Sequence, residues 1–98
     1  MGMMRFDVRC VRNCLVREGV VFTVRSYLVE GVHGRLVWVD GVGKCWRELV
    51  GEVTCKEDLV RFLGLSGFTC VDDWWNKIVG FCGVNQKWLY KVHIYRNG

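Results

Sequence analysis

Thr23 and Arg25 stand two residues apart in the alternating run Val20-Val21-Phe22-Thr23-Val24-Arg25-Ser26-Tyr27, so a strand there carries both side chains on one face. A guanidinium is a planar fork of donors suited to a phosphate or a base edge. Among apolar neighbours, Arg25 must either project into a polar cleft or pair with a carboxylate such as Glu48 or Glu52. Thr23 is either a wall of that cleft or an ordinary β-branched strand former. Further along, Lys44, Trp46 and Arg47 follow a glycine-rich turn, and basic residues interleaved with an aromatic suit a surface that tracks a nucleic-acid backbone and stacks bases. The structural alternative is an edge-strand Trp with flanking charges. Tyr27 belongs to the same class, and Arg12 and Arg17 are placed to contact phosphates. Trp74 and Trp75, at helical spacing, read as core.

Other chemistries find little support. Of the six cysteines, Cys10 and Cys14 form the only close pair, with no Cys-x-x-Cys and no matching pair downstream, so no metal or other cofactor is expected. The thiols read as small buried hydrophobes, with disulfide staples in a hyperthermophile interior as the alternative. His33 reads as a loop residue and His93 as a strand residue beside Lys91, without a dyad partner for either. There is no phosphate-binding glycine loop, and the glycines at 31, 34, 41 and 43 read as turns. No catalytic residue is assigned.

Composition sets the bounds. The 98 residues, 51% hydrophobic, without Pro and with singly spread Gly, suit one domain over 1–98 and exclude disorder. No apolar run nears the ~20 residues of a membrane span. The opening residues offer no apolar secretory region, so a cytoplasmic address is expected. Fourteen Lys and Arg against ten Asp and Glu give +4, a mild excess that permits an anionic partner. Seven of those cations lie in the first 44 residues.

The elements that must position these residues follow from periodicity. Val11 and Leu15 fit a helix over Arg9 to Glu18, ended by Gly19, with strands expected over Val20 to Tyr27, Arg35 to Asp40 and Cys45 to Val53. Thr54 with Glu57, and Thr69 with Asp72, each fit a capping box opening a helix. The first of these helices would bury Leu59, Val60, Phe62 and Leu63 and end at Gly64; the second would bury Val71, Trp74, Trp75, Ile78 and Val79. Lys87 to Tyr95 closes the chain as a strand. Helix, three strands, two helices and a strand imply α+β, with a small, mostly antiparallel sheet curled into a β-barrel and about three helices packed on it.

In that order, Leu15 to Tyr27 resembles the opening motif of the ASCH domain, of the PUA-like superfamily: a short helix, a Gly, then a strand with a Thr and an Arg. Gly51-Glu52-Val53-Thr54 resembles that family's strand-to-helix junction, Ser66-Gly67-Phe68-Thr69 with Asp73-Trp74-Trp75 its second helix, and Trp88 to Ile94 its closing strand. The resemblance covers roughly residues 10 to 95 and rests on the joint order of short motifs. It implies a PUA-like barrel with a cleft for RNA or nucleosides. One bacterial branch hydrolyses acetylated cytidine with a Lys, a Thr and a Glu. Only Thr23 matches here: the Lys position is Val20, the Glu position falls at or near Ser66, and Glu18 and Asp72 are out of register. Without an ionisable group at these places general-base chemistry has no carrier. The expectation is a non-catalytic RNA- or nucleotide-binding module, monomeric or a weak homodimer. The alternatives are an amidohydrolase-type enzyme for a modified nucleoside with an altered residue set, and a partner-binding protein that kept the fold.

Overall fold

Alternation carries most of the sheet. The computed structural model describes residues 2–28 and 34–96; His33 and Gly31, read above as loop and turn, lie outside the described residues. Strands β2 (Val20–Arg25), β3 (Arg35–Val39), β4 (Gly43–Val53) and β5 (Lys87–Ile94) form where β-branched and aromatic residues recur at period two. A further strand, β1 (Gly2–Met4), was not expected from its three residues, which are too few to show a period; it runs parallel to β3. The order across the sheet is β1-β3-β4-β5-β2, with every other pairing antiparallel and a register shift between Leu49 and Gly51 in β4.

The barrel expectation is corrected by this order: the sheet is open, with β1 and β2 as its two edges. Closure needs a continuous ladder between the edges, but β1 supplies three residues, all registered on β3, before the chain leaves the sheet. The sheet is nonetheless curled. A flat five-stranded sheet holds its edges about 19 Å apart, whereas Arg25, at the end of β2, donates from Nη2 to the Arg5 carbonyl just beyond β1 at 3.0 Å. One side chain thus ties the open seam.

Each face of the sheet has its own core. Helix α1 (Arg9–Glu18) buries Val11, Cys14 and Leu15 against Met4, Val21, Val37, Val39, Cys45 and Val92. It ends as expected at Gly19, whose φ of 78° is left-handed and whose N–H donates to the Leu15 carbonyl at 2.8 Å. The opposite face is covered by a 3-10 helix (Lys56–Leu65) and by α2 (Val71–Cys82), which bury Leu59, Trp74, Ile78 and Cys82 against Val53 and Leu89, with Phe22 and Val24 packed alongside. Phe68 packs on both clusters.

Both helix starts differ from the expected boxes. The Asp58 carboxylate, not Glu57, accepts from the Thr54 and Cys55 amides at 2.9 and 3.3 Å and from the Thr54 hydroxyl at 3.0 Å, so the cap sits one residue later, at Cys55. The Thr69–Asp72 box does not form, because Asp72 instead accepts from Lys56 Nζ at 2.8 Å and α2 opens at Cys70 without a side-chain cap. The first helix packs Leu59, Phe62 and Leu63 on the core as expected, whereas Val60, also expected to be buried, is 58% exposed. Val79 on α2 is likewise exposed. All six cysteines are free thiols; Cys14, Cys45 and Cys82 are core, while Cys55 and Cys70 are exposed at the two helix starts.

Candidate functional site

The curled seam leaves a pocket of about 200 Å³ between the end of β2, the segment joining β1 to α1, and the last turn of α2. Thr23, Arg25 and Tyr27 line it from β2, with Arg5, Phe6 and Asp7 opposite and Phe81 and Cys82 at one side. Alternation along β2 brings Thr23 and Arg25 to one face, as the spacing predicts, and that face meets the pocket.

Arg25 is the focus of this pocket. Its guanidinium lies 5.0 Å from the Phe6 ring centroid and gives Nη2 to the Arg5 carbonyl. Its Nε is buried and has no hydrogen-bond partner, the only such side-chain atom among the described residues. The salt bridge with Glu48 or Glu52 does not form: among the described residues no carboxylate lies within ion-pair distance of Arg25, and Glu52 accepts from Gln86 Nε2 at 3.1 Å. Burial pushes the Arg25 pKa down from its ordinary value, and the nearby oxygens of Tyr27 and Asp7 oppose that shift.

Arg47 supports the site without lining it. Alternation in β4 turns Cys45 and Arg47 inward, so Arg47 is 7% exposed and lies beneath Tyr27. Its Nη1 donates to the Tyr27 hydroxyl at 3.3 Å, and its guanidinium sits 5.7 and 5.5 Å from the Tyr27 and Tyr90 rings. The Tyr90 hydroxyl donates to the Tyr27 carbonyl at 2.8 Å, fixing the strand end that carries the pocket wall.

The same alternation corrects the placement of Lys44 and Trp46, which point to the opposite face and are absent from the pocket. Trp46 is also partly covered, since a Cβ on Gly34 would collide with its indole. Arg12 and Arg17 do lie near the site. With Arg9 they border a shallow groove along α1 that shares Phe6 and Asp7 with the pocket. Arg12 Nη2 reaches the Gly41 carbonyl at 3.4 Å, and Arg17 pairs with Glu18 at 3.1 Å.

Sequence reasoning missed Arg5, Phe6, Asp7, Phe81 and Cys82. An aromatic between two opposite charges just ahead of a helix was a readable signal for the first three; Phe81, on the outer side of α2, carried none. The pocket presents the Arg25 guanidinium, the hydroxyls of Thr23 and Tyr27 and the rings of Phe6 and Phe81. Burial pushes the Cys82 thiol up, although Lys87 and Arg25 pull the other way, so it is no activated nucleophile. Val20 and Ser66, the places where the resemblance would seat an amidohydrolase's Lys and Glu, lie outside the pocket. Ser66 is fully buried, giving its hydroxyl to the Leu63 carbonyl at 2.8 Å and accepting from the Phe68 amide at 3.0 Å. Among the described residues there is no His, Cys, Asp and Glu group able to hold a metal ion, and no helix is long and apolar enough to cross a membrane. No family model, no curated protein and no solved structure matches this chain.

Proposed function

We propose that the chain is a non-catalytic RNA- or nucleotide-binding module of the ASCH, PUA-like kind, with the pocket around Arg25 as its ligand site. The observation that carries this reading is Arg25, a guanidinium that lines the pocket without an ion-pair partner among the described residues and whose buried Nε has no hydrogen-bond partner. Leaving such a donor unsatisfied costs about 1–3 kcal/mol or more, and an anionic or base-edge acceptor on the same guanidinium offsets that cost. Thr23 and Tyr27 add hydroxyls to the same wall, and Phe6 and Phe81 add rings. The pocket is smaller than the ~300–1,000 Å³ of drug-sized sites, which suits one base or one phosphate group. Arg9, Arg12 and Arg17 in the adjoining groove suit the phosphates that follow. The helix, Gly19 and the Thr23–Arg25 strand support the ASCH resemblance, and six free thiols suit a reducing cytoplasm.

The test is calorimetric titration of nucleoside monophosphates and a short single-stranded RNA into the protein at low salt. Binding should weaken as salt rises, with a slope set by the phosphates contacted. An absence of binding by any nucleotide or RNA at low salt overturns the reading.

A further inference from the structure

We infer that the bare face of the sheet, away from the pocket, is a second binding surface, which takes single-stranded nucleic acid by base stacking. The helices that cover this face rest on Phe22, Val24, Val53 and Leu89, at the β2 side and the far end of β4. Over β1, β3 and the start of β4 no helix among the described residues covers it. Register places Met3 beside Trp38 and Trp38 beside Lys44, and the Tyr95 amide bonds the Lys44 carbonyl at 3.0 Å. One row across the strands therefore reads Met3, Trp38, Lys44, Tyr95. The next reads Leu36, Trp46, His93, Val20.

In the first row Met3 is 71%, Trp38 46% and Tyr95 38% exposed. The two rings flank an exposed lysine whose ammonium lies 5.8 Å from the Tyr95 centroid. An extended strand crossing β3, β4 and β5 would meet a ring, an ammonium and a ring in turn, which suits base, phosphate and base. Charge favours this occupant, because Lys44 is the one charged residue in the two rows, which contain no carboxylate. Area disfavours a second copy of the chain. Strands about 4.8 Å apart and like-facing residues about 6.8 Å apart make two rows of four residues, spanning five strands, a platform of roughly 19 by 7 Å, far below the ~800 Å² per partner of a stable interface. Trp46 is not the stacking residue, since Gly34 closes over it; Trp38 and Tyr95 take that part.

This surface stands apart from Arg25, so it is tested in the intact protein and again with Arg25→Met, which disables the pocket. The probe is a fluorescein-labelled oligouridylate of about a dozen nucleotides, followed by anisotropy at low salt, with a duplex of equal length as comparison. Trp38→Ala should weaken single-strand binding at least about fivefold in both backgrounds, Trp38→Phe should retain most of it, and the duplex should bind more weakly than the single strand. Circular dichroism and Tm confirm that the variants fold. Equal affinity of Trp38→Ala and the parent overturns the inference. So does sedimentation showing a dimer that Trp38→Ala dissociates while leaving oligonucleotide affinity intact, which would make this face a contact between copies.

Discussion

Replacing Arg25 with Met separates the two things this residue does. The apolar stem stays and the head is lost. With it goes the hydrogen bond to the Arg5 carbonyl, about 1.5–3 kcal/mol for a charged donor, and the contact over Phe6, about 0.5–1 kcal/mol. Against that loss, a buried charged group with an orphan Nε ceases to cost about 1–3 kcal/mol. The residue on balance stabilises by about 1 kcal/mol, so Arg25→Met should lower Tm by about 4–8 °C in a domain this size. Ligand binding should suffer more. A charge-assisted contact of about 1.5–3 kcal/mol corresponds to a 10- to 150-fold rise in Kd. Arg25→Lys keeps the charge but not the fork, and should fall between. Scanning calorimetry gives the first number and titration with nucleoside monophosphates the second. A Tm loss above about 15 °C would mean that the guanidinium is fully partnered structural glue, and a Kd change under threefold would remove it from the ligand contact.

Two further outcomes follow from local geometry. Gly67 has φ 89° and a Cβ there would collide with the Cys10 carbonyl on α1, so Gly67→Ala should cost about 2 kcal/mol or more, read as a lower urea midpoint; an unchanged midpoint would show that α1 and the lead-in to α2 are not pressed together. The hydrogen bonds from Thr54 and Cys55 hold the Asp58 carboxyl below its ordinary value. A carboxylate depressed in the fold stabilises above its unfolded pKa, near 3.9, and loses that stabilisation as pH falls through the folded value. Asp58→Asn should therefore flatten the acid limb of a urea-midpoint profile below about pH 4, and an identical acid limb in the variant would rule out this cap as its source.

Periodicity made the four longer strands, α1 and its Gly19 end, and α2 readable, because each buries a regular face. It also brought Thr23 and Arg25 to one pocket wall. The same rule, applied one residue out of phase, misplaced Lys44 and Trp46: β4 carries a cation and an apolar residue on each face, Lys44 with Trp46 and Arg47 with Cys45, so its alternation gives no sign of which face holds the site. The open seam was hidden because β1 is too short to show alternation, and the barrel expectation had no means of knowing that its first edge is three residues long. The first capping box failed by one residue because Glu57 and Asp58 compete for the same amides, and the second did not form because Lys56 draws Asp72 away. Opposite charges around Phe6 were visible in the chain, but only the curl of the sheet brings them to Arg25.

The position of β5 bears on how the fold is reached. This last strand lies between β4 and β2, and β2 has no other partner in the sheet, pairing Val20 with His93 and Arg25 with Trp88. Segment 20–25 can therefore form local turns and contacts with α1 early, but it cannot join the sheet until segment 87–94 arrives. Pairings of such long sequence separation slow folding, because the loop must close before the contact rewards it. The pocket wall at Arg25 and Tyr27 thus comes into being with the docking of β5, and a chain that lacks β5 does not form this pocket.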